Sequence, residues 1–519
     1  MQTSYSVTAK PVLIIRLEPL FIFCFALLFN WFFWEEKFGI NLFLYTSLLM
    51  AYLCWRNFGS FYHKRVMLTS SITFLTGILV ITINSDLAKT IHIFSFIISV
   101  GFIQEVKLRS IFYAALSVLL KFMVLPKMLN SLFTRISSEH SSLKRSFYYL
   151  RLSLIPVLVL VIYLLIFNTA NPLFAHYFDA IYSKFLIVVG ELSLLRILFF
   201  FIGFLTTAGL MLNGSYNGLV LKDELSKKIS LTRKKARLPI IHNNISPFKM
   251  RSLLNEYRTA LILTGLLNLL LLSVNYIDIK ALWFGFEVPV SFNLKEFVHS
   301  GTYLLILSII ISMIILLYFF RGNLNFYHKR RGLKILSYIW IVQNIVLCIS
   351  VFLRNYHYIT YHGLAYKRIG VAVFLFLTII GLITLIIKIK EHKSLYFQLK
   401  TNGWALYFVL AFLTFFNWDL IIVKHNLSHP NQKDIDVDFY YQLSDKTLPY
   451  LYANLARVEE QIEAHKQNEV YYIKTLQIEA FQKQIDHRKN RYLDELGHYT
   501  WFSFNMQDMR AKRLLKPIE

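Results

Sequence analysis

The chain has 519 residues, of which 56% are hydrophobic and only 16% charged, and its mean hydropathy is +0.49. A soluble protein carries nearer a quarter charged residues, so a string of soluble domains is excluded. The net charge of +25 is concentrated in short stretches between apolar runs, where it reports orientation in a membrane rather than binding to nucleic acid.

Eleven apolar runs read as membrane spans: 18–34, 39–55, 66–83, 88–102, 152–168, 194–212, 259–276, 303–320, 335–353, 369–388 and 404–422. Each is at or somewhat below the roughly 20 residues that cross the hydrocarbon core, and none alternates with period two. Backbone groups in lipid must be satisfied within the segment, so the expected fold is an all-α membrane bundle. The first run continues to Trp34 without a small-residue cleavage site and reads as a span, not a cleaved signal. The organisation expected is an N-terminal membrane region over 1–151, with four spans, and a core bundle of seven spans over 152–423. A small extracytoplasmic helical module over 424–519 completes it.

Residues 110–125 are nearly long enough to span, with a weak polar stripe of Ser110, Ala114, Ser117 and Lys121. Spanning would move the N-terminus and the Arg56, Lys64, Arg65 loop outside, so an interfacial helix on the cytoplasmic side is expected, with a twelfth span as the alternative. The apolar stretch 185–212 exceeds the thickness of the core and should bend near Gly190; Glu191 and Arg196 within it are poorly placed to pair with each other. Ser246 and Pro247 form an N-cap and first-position pair, from which one helix would run to Tyr276.

Charge sets the orientation. The loop 213–258 carries ten Lys/Arg against Asp223, Glu224 and Glu256, and the loop 321–334 has five basic residues and no acid. The positive-inside rule places both in the cytoplasm, with the N-terminus inside and Glu35, Glu36 and the C-terminal tail outside. In the tail, Leu451, Leu455, Val458 and Ile462 recur at helical spacing after a Ser444–Asp445 start signal, and a second charged helix is expected over about 470–495.

No Walker, zincin, nucleophile-elbow, C-x-x-C or dinucleotide-binding motif occurs, so the reading leans away from an enzyme. Cys24, Cys54 and Cys348 lie inside apolar stretches and read as packing residues. No cofactor and no metal are expected: His299, His357, His362, His425 and His429 fall near the outer face without a ligand spacing. Asp434, Asp436, Asp438 and Asp445 imitate a calcium loop, but Phe439 stands where the turn needs glycine.

The stretch Arg354–Arg368 is the most unusual, combining Arg354, Lys367 and Arg368 with tyrosines and no acid on the expected outer face. Arg354, Tyr358, Tyr361 and Arg368 are the candidate ligand-binding residues, with guanidinium groups for an anionic headgroup and phenol rings as walls. An aromatic belt with snorkelling arginines accounts for the same residues without a ligand. Gln343 and Asn344, mid-span, are the candidate polar path; Asn268, Asn275 and Asp419 are further polar groups expected to face the bundle interior.

Several stretches together resemble a known family: Asn171-Pro-Leu-Phe174, Phe297-Val-His-Ser-Gly-Thr-Tyr303, Arg354-Asn-Tyr-His-Tyr358, Tyr361-His-Gly-Leu364, Arg368, Asp436 through Ser444, Phe504-Asn505 and Arg510-Ala511. They are similar to a bacterial family of polytopic membrane proteins catalogued as domain of unknown function forty-one seventy-three, over roughly residues 150–519. The resemblance implies a bacterial cytoplasmic-membrane protein and brings no catalytic residue. The function expected is transport or handling of an anionic lipid-like or small solute in the cell envelope, with membrane lipids as partners. The alternatives are a membrane-embedded transferase relying on Glu35 or Glu191, and a scaffold or sensor whose tail binds another envelope protein.

Overall fold

The computed structural model describes residues 12–139, 194–212, 216–233, 253–284, 294–428, 437–467 and 478–516, with scattered positions between 156 and 178. The elements Glu191, Ser246–Pro247 and the bend at Gly190 lie outside the described residues. The chain divides into two compact units, one of residues 1–224 with 497–507 and one of residues 225–496 with 508–519.

The first unit contains α1 (Val12–Phe33), α2 (Ile40–Arg56), α3 (Lys64–Thr82), α4 (Asp86–Gln104), α5 (Ile111–Glu139) and α6 (Leu194–Met211). Ser85 opens α4, its hydroxyl accepting from the Ala88 N–H. Polar side chains inside these helices bond across them. His92 contacts the hydroxyls of Thr46 on α2 (2.9 Å) and Thr76 on α3 (3.1 Å), while Tyr45 meets Thr207 at 2.8 Å. Such pairs satisfy groups that lipid cannot.

At one end of the unit the 34–39 turn and the end of α3 meet residues 497–507. The Ile40 N–H donates to Phe504 O (3.0 Å), and Gln507 Nε2 donates to Thr82 O (3.0 Å). At the other end, Arg65 donates to Leu108 O and Arg109 Nη2 to Glu224 O, both at 2.7 Å.

The segment 110–125 lies in the long helix α5 from Ile111 onward. Its polar stripe turns inward: Ser110, Ala114, Ser117 and Lys121 are all buried, whereas Phe112, Leu119 and Met123 are exposed. That leaves Ile111–Leu132 a helix long and apolar enough to cross a membrane. Its backbone touches α4 at Gly101, where an added Cβ would lie 2.3 Å from Ala114 O. Gly101→Ala is therefore expected to cost about 1–3 kcal/mol by forcing α4 and α5 apart, read as a lower unfolding midpoint in detergent. An unchanged midpoint would contradict that close contact.

The second unit contains α8 (Leu253–Asp278), α9 (Leu294–Phe319), α10 (Arg331–His362), α11 (Tyr366–Lys390), α12 (Leu395–Leu413) and α13 (Trp418–Ser428); α7 (Tyr216–Ser226) precedes them in the chain. Its apolar core includes Ile309, Leu316, Trp340, Leu347, Leu375 and Leu382. Asn268 and Asn275 are buried and donate to Leu336 O (3.1 Å) and Gln343 O (3.0 Å) of α10. Buried Lys388 on α11 donates to Phe320 O (2.7 Å), beside the end of α9. The α12–α13 pair bends by 64°, so the run 404–422 is broken between Leu413 and Trp418 instead of forming one straight helix. There Trp418 Nε1 takes Leu413 O at 2.9 Å and Asn417 Oδ1 accepts from the Leu420 N–H.

A second core joins Ile422, Leu427, Tyr440, Leu451, Val458, Ile462, Phe481 and Tyr492, with Leu364 and Ile369 packed against it. The tail periodicity is split between Leu448–Tyr452 and α14 (Leu455–Gln467), followed by α15 (Ile478–His498); α16 (Met506–Leu515) ends the chain's helices. Burial pushes the Tyr440 hydroxyl well up from its ordinary range, which keeps it a donor to Gln461 Oε1 at 3.1 Å.

Among the described residues seven helices are long and apolar enough to cross a membrane, or eight if the bent pair is one span. Six of the seven coincide with runs read from the sequence, and Ile111–Leu132 is the seventh. Leu17–Phe33 and Leu195–Met211 are apolar but shorter.

Candidate anion-binding pocket

The span expected over 335–353 continues as helix to His362, so Arg354–Arg368 is not a loop but two helix ends joined at Gly363–Ala365. Gly363 ends α10 at φ +80°, with its N–H on Ile359 O, and an added Cβ would lie 2.8 Å from Asn426 Oδ1. A positive φ and a close neighbour both demand glycine here. Asn426 on α13 then clamps the turn, accepting from the Leu364 N–H (2.6 Å) and donating to Leu364 O (3.0 Å).

This turn forms one wall of a cavity of about 410 Å³. Tyr358, His362, Tyr366, Lys367 and Arg368 line it from α10 and α11, Thr302 and Tyr303 from α9, and Phe439 and Gln442 from the tail. Among the described residues no aspartate or glutamate lines it.

Arg368 is anchored. Its Nη1 donates to His362 O (2.7 Å) and to Gly363 O, and its guanidinium lies 4.4 Å from the centre of the Tyr358 ring. Asn355 Nδ2 holds the Arg368 carbonyl at 3.0 Å. The charge is thereby fixed beside an aromatic wall. Lys367 is exposed at the cavity and makes no ion pair among the described residues. Tyr366 donates to Asp419 Oδ1 at 2.5 Å, and the same oxygen accepts from the Ser444 N–H at 3.4 Å, so the tail wall is tied to α11 through one carboxylate.

Of the four ligand-binding residues read from the sequence, Tyr358 and Arg368 meet at this cavity. Arg354 and Tyr361 do not line it. Arg354 instead forms a buried ion pair with Asp278 at the end of α8. Gln343 and Asn344 also lie away from the cavity: the Gln343 carbonyl accepts from Asn275, and buried Asn344 donates to Trp340 O at 2.8 Å. Asn355, Asn426, Thr302, Tyr303, Phe439 and Gln442 were not singled out as site residues. Thr302, Tyr303, Asn355, Phe439 and Gln442 nevertheless stand within the runs that carried the family resemblance, which is the signal that could have found them.

Other candidates resolve locally. Glu36 accepts from the Thr500 N–H (3.1 Å) and the Ser503 hydroxyl, capping the tail segment. Asp445 pairs with Arg488 at 2.5 Å. Among the described residues no three His, Cys, Asp or Glu side chains are grouped to hold a metal.

Apolar helices able to cross a membrane, with a basic and aromatic cavity at the ends of three of them, define an all-helical membrane protein. The chain belongs to a family described as a domain of unknown function, DUF4153, whose model matches residues 22–454. That match corrects the resemblance, which named a different domain of unknown function. It begins in α1 instead of near residue 150, ends before α14, and takes in every residue lining the cavity. No curated protein and no solved structure matches the chain.

Proposed function

We propose that this protein transports or handles an anionic, lipid-like or small solute in a bacterial cytoplasmic membrane, and that the Tyr358–Arg368 cavity is where the anionic group binds. The observation that carries the reading is the lining: Lys367 and Arg368 beside tyrosines and amides, with no carboxylate among the described lining residues and nearby Asp419 engaged by Tyr366 and the Ser444 N–H. A carboxylate would repel an anion, and a desolvated cation beside an aromatic face attracts one strongly. Val371 and Leu364 give the cavity an apolar side, and neighbouring Leu304 and Leu307 of α9 are exposed where lipid would lie, which suits an amphiphile.

The full arrangement would have about eleven spans, the N-terminus in the cytoplasm and the tail outside. Two groupings support that sidedness. The 34–39 turn and Thr82 share their end of the first unit with residues 500–507. In the second unit the 363–365 turn shares its end with the tail core, while Ile229–Leu231 bonds to His392 and Ser394 beside the basic helix ends.

Lys367 is the residue to change, because its exposed side chain makes no hydrogen bond or ion pair among the described residues. Lys367→Ala is expected to weaken binding of dodecyl phosphate to the detergent-solubilised protein by about tenfold, the loss of one charge-assisted contact. Microscale thermophoresis reads this directly. Equal affinity in the variant, or no binding to the wild type, would contradict the assignment.

A further inference from the structure

A second set of buried charges lies wholly inside the first unit. Lys121 projects from the inward stripe of α5, about 15 Å along that helix from Ile111. It is 1% exposed, and its Nζ has no hydrogen-bond partner among the described residues. Four other helices converge on this level. Gly209 of α6 packs on the Phe122 ring, and the next two carbonyls of α6 are taken by side chains from elsewhere: Leu210 O by Gln104 Nε2 of α4 (2.6 Å) and Met211 O by Arg56 of α2. Arg56 also pairs with Glu18 of α1 at 2.8 Å, the two side chains being 10% and 6% exposed. Among the described residues the charged groups acting on Lys121 are Arg56, which opposes its charge, and Glu105, which favours it without a hydrogen bond to its Nζ.

The Glu18 charge is committed to Arg56 and the α6 carbonyls to Arg56 and Gln104. In either protonation state Lys121 presents at least two N–H donors, and donors sealed from water without an acceptor are costly. A membrane-embedded ionisable group in that position marks a ligand pathway or site more often than packing. We propose that Lys121, next to Arg56, is an intramembrane binding site for a compact monovalent anion of halide type. Compactness follows from the surroundings: Ala114 is fully buried, and Ser117, itself buried, already donates to Ala114 O at 2.7 Å. A spherical anion accepts from an amine without the directional room that a carboxylate or phosphate needs.

The test is differential scanning calorimetry of the full-length protein in detergent, replacing potassium gluconate by potassium bromide at constant ionic strength. A ligand that binds only the folded state raises the unfolding temperature with concentration. The wild type should gain several degrees at saturating bromide, and Lys121→Met should show no such gain. Lys121→Gln supplies the same comparison if the methionine variant does not fold. A flat wild-type response would overturn the site, leaving Lys121 satisfied by water. So would a bromide response that persists in the variants, which would place the anion elsewhere on this basic chain.

Discussion

Arg354→Ala should lower the unfolding free energy by about 3–5 kcal/mol, because it leaves Asp278 as an uncompensated buried charge. Both side chains of the pair are at most 10% exposed, and Arg354 reaches across from α10 to the last residue of α8. The sign depends on what replaces the pair. Asp278→Leu combined with Arg354→Met removes both charges together and should restore most of the lost stability. Unfolding midpoints of the two single variants and the double variant check this. Singles that unfold like the wild type would mean the pair is not desolvated. One consequence bears on the ligand: weaker binding in Arg354→Ala would report a distorted α8–α10 contact, not a lost ligand bond.

Arg488→Ala should loosen the tail, at a cost of about 2–4 kcal/mol once the partial exposure of its partner is allowed for. Arg488 on α15 donates to Asp445 through Nε (2.8 Å) and Nη2 (2.5 Å), and to the carbonyls of Tyr440 (3.2 Å) and Leu443 (2.7 Å). One side chain thus fastens α15 to the 437–447 segment that supplies Phe439 and Gln442 to the cavity. Limited proteolysis should cut the variant within α15 while α8–α11 stay intact, and dodecyl phosphate should bind more weakly. An uncut tail would show that the Phe481 and Tyr492 packing holds it without the arginine.

Much of this architecture is legible from residue type alone. Asn268 and Asn275 in an apolar run had to find partners inside the bundle, and they bond to carbonyls of α10. Tyr358, Lys367 and Arg368 stood out because cations without acids on the expected outer face break the charge bias of the chain. Arg354 belongs to the same run, but its partner Asp278 lies 76 residues earlier, a pairing that only the packing of α8 on α10 reveals. The α5 stripe was visible as polar spacing; its direction was not, since burial against α4 and α6 decides whether serines face headgroups or the interior. Likewise Gly363 reads as any glycine until its φ of +80° and Asn426 show why α10 stops there.

An anionic molecule held at Lys367 and Arg368 should survive gentle solubilisation with the protein. Native mass spectrometry of the gently solubilised protein beside Lys367→Ala tests it most directly. The wild type should show a discrete retained mass, released as an anion on raising the collision energy, that is depleted in the variant. The same retained species at the same occupancy in both proteins would contradict it.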